Sequence, residues 1–447
     1  MRILLTVHQF FPEFKAGTEV LTLSVAKQLI ALGHEVYVFT GFPGEENTPE
    51  DQRLDNYTYD GVSVSRFKHA YTPMFGQKSM IEVGYKNLLA QHFFIDLVTD
   101  FKPDYVHHFH LNRLGVGLIE YLHQQRIPQF FTPTDFWMIC PTAQLMWEGG
   151  RYCAGPDKHA GNCIKHFARD RLGNTAGKMI ELVPASVFAT VARLTKKSSF
   201  IAFPMSQEMS ALHDRLGNTV AALNKLDGIV TPNNFMRELF INHGVKQEKI
   251  HNCHFGVDIK VPDITLEKRE VSNKPCYGFI GTLAPHKGCH VVIDALNKLP
   301  KGMASLKIYG GHSDFPEYYE NLVKLAGDNP DIEFCGTFDN NDIGVVIAKF
   351  DALIVPSVWY ENTPLVIYSA HACQCPVIAS DLPGIAEVVK EGVNGILYEA
   401  GNSNELSAIF SSLSNNPEKL NDLRHGCQPP LSVKTYTQKL LDIWNGH

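Results

Sequence analysis

Short apolar strands alternate with helical segments along most of this chain, and that alternation restricts the possible folds more than any other feature. The chain opens with a strand at 2–7, a glycine-containing turn at 14–20, a helix closed by Gly33 and a second strand at 35–41. A strand followed by a crossover helix and another strand builds a parallel sheet. The sequence therefore predicts an α/β protein.

The same order starts again in the second half of the chain. After strands at 105–110, 129–135 and 227–232, of which we take the last to end the first sheet, residues 276–300 repeat the strand, glycine loop and helix. The strands that follow, each after a helical segment, are 305–311, 332–338, 352–357 and 376–380.

We therefore expect two doubly wound, Rossmann-like domains. The first would cover residues 1–245 and the second 246–428, and residues 429–447 would form a helix that crosses back to the first domain. Two such domains leave a central cleft between the carboxyl ends of their strands, where ligands bind.

Composition excludes several classes of protein. With 44% hydrophobic and 19% charged residues and a net charge of −7, the chain fits a globular protein and not a general nucleic-acid binder. The apolar N-terminus is interrupted by His8 and Gln9, which indicates a strand and not a signal peptide. No apolar segment reaches the about 20 residues that span a bilayer. Ten cysteines without an export signal fit reduced thiols, so we expect a cytoplasmic protein.

A carboxylate stands directly before a predicted helix start, in the segment 358–370. Glu361 precedes Thr363, a good N-cap, and Pro364, which suits the first helical position. The first free amides of this helix, at Leu365 and Val366, would favour a bound anion. Glu361 therefore either caps the helix or borders an anion site.

Four segments of the chain, in order and spacing, resemble one enzyme family. They are residues 16–40, 278–288, 355–389 and 391–398, and they resemble the GT-B glycosyltransferases of family 4, also called glycosyl transferases group 1. The resemblance implies sugar transfer from a nucleotide diphosphate to a glycan or lipid-linked acceptor, with retention of configuration, as in polysaccharide biosynthesis. It also implies that the first domain binds the acceptor and the second the UDP- or GDP-sugar.

The resemblance assigns a cation to the diphosphate. Lys287, between Gly281 and Gly288, is that cation. The family carries an arginine directly after the first glycine, where this chain has Thr282, so the second cation is missing or is replaced by another group such as His286.

The family also carries two glutamates eight positions apart. Glu361 matches the first, and we expect it to face the sugar hydroxyls, whereas Ser369 stands where the second would bind the ribose. A hydroxyl cannot replace a carboxylate that accepts two hydrogen bonds. The remaining donor-binding candidates are Gly17, Thr18, Phe338, Asn362, Thr363, Pro364, Leu365 and Val366.

The catalytic candidates are Glu361, Lys287 and His110, which lies at a strand end where the family places a functional histidine. Asp135 ends the next strand and is a candidate for orienting the acceptor hydroxyl. The resemblance implies a front-face displacement in which the leaving diphosphate oxygen takes the acceptor proton. The chain has no D-x-D triplet, so we expect transfer without a metal or other cofactor.

Two further segments lie outside the family pattern. Cys140, Cys153, Cys163 and His166 could complete a tetrahedral zinc site, although their irregular spacing favours reduced cysteines in a loop. The stretch 165–215 is basic and amphipathic, so it is either a peripheral contact with an anionic membrane or an ordinary helix with a solvated face.

Other functions fit parts of this pattern. A nucleotide-sugar epimerase or a phosphorylase shares the two-domain architecture, but the segment 361–366 argues against both. The changes at Thr282 and Ser369 leave open a catalytically silent sugar-nucleotide binder or a regulatory partner. A dinucleotide oxidoreductase is excluded because neither half has G-x-G-x-x-G at its first turn.

Overall fold

A computed structural model describes residues 1–74, 76–147, 151–197, 205–261 and 274–446. The chain divides into two compact units. The first comprises Met1–His254 together with Val433–His447, and the second comprises Phe255–Ser432.

The first unit is built on an eight-stranded sheet within the described residues. Its strand order is β10-β9-β6-β5-β1-β2-β4-β3, and every pairing is parallel except that of β3 with β4. The strands are β1 (Arg2–Val7), β2 (Glu35–Pro43), β3 (Leu54–Tyr59), β4 (Val62–His69), β5 (Tyr105–His108), β6 (Gln129–Phe131), β9 (Gly228–Thr231) and β10 (Ile250–Asn252). The short strands β7 (Met146–Trp147) and β8 (Arg151–Tyr152) form a separate antiparallel pair.

Helices connect these strands. They are α1 (Gly17–Ala31), α2 (Met80–Tyr85), α3 (Leu88–Phe101), α4 (Gly117–Gln125), α5 (Gly161–Glu181), α6 (Ala185–Lys197), α7 (Ser206–Leu223), α8 (Asn234–Asn242) and, at the other end of the chain, α16 (Val433–Trp444). Helix α16 packs on this unit through Trp444, whose ring lies 5.8 Å from that of Tyr105 and 6.1 Å from that of Phe130.

The second unit contains a six-stranded parallel sheet in the order β13-β12-β11-β14-β15-β16. Its strands are β11 (Cys276–Ile280), β12 (Ser305–Tyr309), β13 (Ile332–Gly336), β14 (Ala352–Val355), β15 (Val377–Ser380) and β16 (Gly395–Tyr398). Its helices are α9 (Cys289–Asn297), α10 (Pro316–Ala326), α11 (Ile343–Ile347), α12 (Leu365–Ala372), α13 (Pro383–Ala386), α14 (Ser403–Asn415) and α15 (Glu418–Gly426).

Both faces of this second sheet are buried. Along β14, Ala352 and Ile354 belong to the apolar core on one face, while Leu353 and Val355 belong to the core on the other. Side chains of a strand alternate between faces, so a strand with helices on both sides must be apolar at every position. The continuous apolar run predicted from the sequence has this physical cause.

The two ends of the second unit lie side by side. Gly256 forms a parallel bridge with Leu431, and the Val257 N–H donates to the Leu431 carbonyl at 2.9 Å. None of the helices in the described part of the chain is long and apolar enough to cross a membrane.

The predicted class, α/β with two doubly wound domains, is confirmed. Two details differ from the expectation: the strand at 227–232 does not end the first sheet, because β10 pairs with β9 beyond it, and the edge strand β3 is antiparallel. The first unit thus extends to residue 254, past the boundary at 245, and the last segment joins it from residue 433.

Candidate functional site

The structure brings Lys287 and Glu361 together in the second unit. Lys287 ends a 3₁₀ turn, Pro285–Lys287, that follows β11, and Glu361 lies between β14 and α12. The Lys287 Nζ donates to the Glu361 Oε1 at 2.7 Å. The Glu361 side chain is only 9% exposed and the Lys287 side chain 28%, so the carboxylate is the more buried partner.

Three donors converge on one oxygen of Glu361. Besides Lys287, the Ser357 hydroxyl and the Trp359 indole N–H donate to Oε1, at 2.7 and 2.8 Å, and Oε2 receives none of these three bonds. Burial alone would raise the pKa of Glu361, but the Lys287 charge and the hydrogen bonds outweigh it and hold the pKa below its ordinary value. Glu361 is therefore a fixed, ionised carboxylate.

Aromatic side chains surround the lysine. The His286 ring lies 3.8 Å from the Trp359 ring, and the Lys287 Nζ lies 5.1 Å from the centre of the Trp359 ring. Burial and the nearby Lys287 charge lower the pKa of His286 to about 4. His286 is thus neutral near pH 7 beside Lys287.

Two glycines let the loops of this site approach each other. Gly288 has φ +73°, and a Cβ there would lie 1.9 Å from the Pro356 carbonyl oxygen. A Cβ on Gly384 would lie 2.0 Å from the Glu361 carbonyl oxygen. Any side chain at either position would push the Glu361 segment away.

Helix α12 begins one residue later than the sequence indicates. Its N-cap is Pro364, with no side-chain cap, and the Thr363 hydroxyl donates to the Asn362 carbonyl at 2.6 Å. The prediction that Thr363 caps the helix is therefore wrong. The amides of Leu365 and Val366 nevertheless stand in the first turn, where the helix dipole favours an anion.

The other donor candidates of this unit are more dispersed. Gly281 follows β11 directly, and Thr282 after it is exposed. Phe338 packs edge-on against Tyr309, with ring centres 5.5 Å apart. The buried Ser369 hydroxyl donates to the Leu365 carbonyl of its own helix at 3.2 Å, so it is directed inward.

In the first unit the structure pairs His110 with Asp135. The His110 Nε2 and the Asp135 Oδ2 are 2.9 Å apart, and the His110 Nδ1 accepts the Asn112 N–H at 3.1 Å. Because Nδ1 accepts a hydrogen bond, Nε2 is the ring nitrogen that donates to Asp135. The Trp137 N–H donates to the other Asp135 oxygen at 2.8 Å. The Asp135 side chain is 39% exposed and that of His110 4%, so the aspartate is the group that a ligand can reach.

Sequence reasoning missed a buried acid beside Gly17 and Thr18, the residues that open α1. Glu19 is fully buried, and within the described residues neither of its carboxyl oxygens has a hydrogen-bond partner. Its Oε1 lies 3.9 Å from the His8 Nε2, and the His8 ring lies 4.1 Å from that of His110. Burial raises the pKa of Glu19 and lowers that of His8 well below its ordinary value. A carboxylate in the first turn of a predicted helix was the available signal.

The proposed zinc ligands do not form a metal site. Cys140, Cys153, Cys163 and His166 line one small cavity, but no three His, Cys, Asp or Glu residues in the described ranges are arranged to hold a metal. The Cys140 Sγ contacts the Thr142 hydroxyl at 3.2 Å, and the His166 Nε2 lies 3.5 Å from Asp170. Burial raises the pKa of Cys163 well above its ordinary value, which is typical of a structural thiol.

Comparison with known proteins assigns the second unit. Residues 263–426 match the family model of glycosyl transferases group 1. The second unit is therefore similar to glycosyl transferases group 1 over these residues, which confirms that part of the predicted resemblance.

Curated relatives match over part of their length. The chain is 31% identical over 140 residues to the uncharacterized glycosyltransferase MJ1178 of Methanocaldococcus jannaschii. This match covers 31% of this chain and 38% of that protein. It is 28% identical over 178 residues to the D-inositol 3-phosphate glycosyltransferase of Mycobacterium bovis. This match covers 38% of this chain and 37% of that protein. The matches thus span well under half of these relatives.

Solved structures match over the whole chain. HepE from Anabaena, in complex with UDP and glucose, has a TM-score of 0.63 and 18% identity, with 100% of this chain and 99% of that chain covered. Sucrose-phosphate synthase from Thermosynechococcus elongatus has a TM-score of 0.66 and 16% identity, with 100% and 98% covered. At these identities the likeness shows the fold.

Proposed function

We propose that this chain is a cytoplasmic, retaining glycosyltransferase that moves a sugar from a UDP- or GDP-sugar to a hydroxyl of a glycan or lipid-linked acceptor, without a metal. The observation that supports this most directly is the Lys287–Glu361 pair beside the first turn of α12, inside a group 1 domain. Structures of HepE hold UDP or UDP-glucose, which supports a nucleotide-sugar donor.

The diphosphate would bind at Lys287 and the first turn of α12. The Lys287 side chain is 28% exposed, so its ammonium can turn from Glu361 to a phosphate oxygen. The amides of Leu365 and Val366 donate to the same group at the positive end of the helix. These donors stabilise the charge that grows on the leaving diphosphate.

Glu361 would bind the sugar. When Lys287 turns to the phosphate, Ser357 and Trp359 still hold Oε1, so the carboxylate keeps its position. Oε2 then accepts from sugar hydroxyls. Held only by the neutral Ser357 and Trp359 side chains, the carboxylate keeps its negative charge, so it accepts from sugar hydroxyls and repels the phosphates. The sugar and the diphosphate of the nucleotide-sugar would therefore bind at different positions.

Asp135 would orient the acceptor. Its exposed carboxylate, held by His110 and the Trp137 amide, accepts a hydrogen bond from the acceptor hydroxyl. The acceptor oxygen attacks the anomeric carbon from the side of the leaving group, the bond to the diphosphate oxygen breaks, and that oxygen takes the proton. The configuration is retained.

A screen of UDP-, GDP- and ADP-sugars tests the proposal. We expect one donor to bind and to be hydrolysed slowly without acceptor, and nuclear magnetic resonance of the sugar product to show the donor's anomeric configuration. Inverted product would contradict retention, and failure of every donor to bind would contradict the function.

A silent sugar-nucleotide binder is the second candidate. It is favoured by the uncharged, exposed Thr282 and by the inward hydrogen bond of Ser369, which leave two of the family's charged positions vacant. Tight donor binding without release of nucleotide from any donor would establish this alternative. A change in the sugar's stereochemistry without transfer would indicate an epimerase.

A further inference from the structure

The segment 165–197 exposes large apolar side chains, and we call it the basic apolar segment. It contains α5 from Lys165 onward, the link 182–184 and α6. Leu182 is 84% exposed and Met179 72%, and Leu194 is 52% exposed. On α6, Val187, Val191 and Leu194 are spaced i, i+4 and i+7, so they share one exposed face of the helix. Burying them would be favourable.

The same segment is strongly basic. It carries seven Lys and Arg residues and two acidic residues, a net charge of +5 in a chain whose total is −7. Both acids are engaged: the Glu181 carboxylate pairs with Arg151 and Arg169, and Asp170 lies 3.5 Å from His166. For the exposed Lys178 and Arg193, the described part of the chain provides no ionic partner. Positive charge therefore stands beside exposed apolar surface.

We propose that the basic apolar segment docks on the surface of an anionic lipid bilayer. Leucine, valine and methionine side chains would enter the boundary between headgroups and acyl chains, and Lys178 and Arg193 would reach lipid phosphates with their long side chains. The exposed apolar residues are aliphatic, and the segment is rich in lysine, whereas the cores of protein interfaces are rich in aromatic residues and poor in lysine. This composition favours lipid over a protein partner.

Flotation of the full chain with lipid vesicles tests the proposal. We expect binding to vesicles of phosphatidylcholine mixed with phosphatidylglycerol at low salt, weaker binding to phosphatidylcholine alone, and release as salt screens the phosphates. Each Lys or Arg at the surface contributes about fivefold to the partition coefficient. Lys178→Glu together with Arg193→Glu should therefore lower binding at least about tenfold.

Leu182→Glu tests the apolar part, and Val345→Glu is its matched control. Val345 is 50% exposed in the second unit, so the control adds the same charge to another exposed apolar position. We expect Leu182→Glu to lower vesicle binding about tenfold and the control to leave it nearly unchanged. Both exposed substitutions should leave the thermal midpoint unchanged.

Three outcomes would overturn the proposal. The first is absence of flotation with anionic vesicles at low salt, and the second is equal behaviour of Leu182→Glu and Val345→Glu. The third is a dimer, seen by light scattering, that Leu182→Glu dissociates, because a second copy would then cover the segment. Donor binding by the same variants stays intact in every case, so the test is independent of the proposed sugar transfer.

Discussion

The two partners of the Lys287–Glu361 pair differ in burial, and this predicts unequal costs of removing them. Lys287→Ala leaves an ionised carboxylate that is 9% exposed, so we expect it to lower the free energy of unfolding by about 3 kcal/mol. Glu361→Ala leaves a lysine that can reach water and should cost about 1 kcal/mol. Urea denaturation measures both, and Glu361→Ala should still abolish sugar transfer.

Lys307→Ala is the control for this comparison. Lys307 pairs with Glu333 in the same unit, but that glutamate is 61% exposed and needs no partner. The variant should unfold at nearly the wild-type urea concentration. A Lys287→Ala protein as stable as Lys307→Ala would show that Glu361 is not held as described.

In the proposed mechanism, His110 of the first unit acts through Asp135. Because both ring nitrogens of His110 already have hydrogen-bond partners, we propose that it positions the aspartate. We expect Asp135→Asn to lower kcat about 100-fold with the donor KM unchanged. His110→Asn, which can still donate to Asp135, should retain more activity than His110→Ala. Steady-state kinetics with saturating nucleotide-sugar measures these activities. If Asp135→Asn were active and His110→Asn inactive, His110 and not Asp135 would be the group that contacts the acceptor.

At the residue scale the sequence identified side chains but not their contacts. Lys287 and Glu361 were each recognised, yet they are 74 residues apart and meet only because two loops pack together. At α1 the turn pattern indicates only Gly17 and Thr18, so the buried Glu19 was missed. Its neighbours His8 and His110 come from other strand ends, and no local pattern joins them.

Glycine decides how the elements of the second unit fit together. Gly288 combines φ +73° with a Cβ position 1.9 Å from the Pro356 carbonyl, whereas Gly302 has φ +82° with nothing within 4 Å. Gly302→Ala should cost about 1 kcal/mol, the strain of a left-handed alanine. Gly288→Ala adds a steric clash and should cost at least about 3 kcal/mol. Thermal unfolding compares the two variants.

Donor affinity gives a second measure of the same pair. Gly288→Ala moves the loop that carries Lys287, so it should weaken nucleotide-sugar binding, and Gly302→Ala should not. Equal stability of the two alanine variants would show that the loop at Gly288 can move to accommodate a Cβ without lowering the free energy of unfolding.

Elements were predictable where burial is complete. The mostly apolar runs gave β1, β14 and β15 to within about two residues, because strands covered on both faces admit few polar side chains. The β3–β4 hairpin was missed, since β3 is only partly buried and its sequence LDNYTY carries polar residues. The start of α12 was predicted one residue too early, because Pro364 has an extended backbone and is the N-cap itself. The presence of Thr363, a good N-cap residue, does not reveal this.

Across the whole molecule, buried neutral histidines predict sensitivity to mild acid. Burial lowers the pKa of His69, His108 and His371 to about 4, below the ordinary value near 6.5 of an unfolded chain. Between these values the unfolded chain binds protons that the folded chain does not, so stability falls as pH falls. Each such histidine contributes a loss of up to about 1.4 kcal/mol per pH unit in that window.

Denaturation midpoints at pH 7 and pH 5 measure this loss. We expect the denaturation midpoint to decrease strongly between pH 7 and pH 5, before the carboxylates titrate. The decrease should be smaller in His371→Gln, which removes one of the titrating groups. A midpoint that is constant from pH 7 to pH 5 would contradict the prediction.

The connection of the two units has a consequence for dissecting the chain. The second unit leaves the first at residue 254, returns at 433, and has its two ends joined through Gly256, Val257 and Leu431. The Trp444 indole donates to the His107 Nδ1 at 3.1 Å in the core of the first unit. A first unit expressed alone must therefore keep residues 433–447, spliced after 254 by a linker. A chain that stops at residue 432 would instead lose α16, and with it core side chains of the first unit such as Trp444.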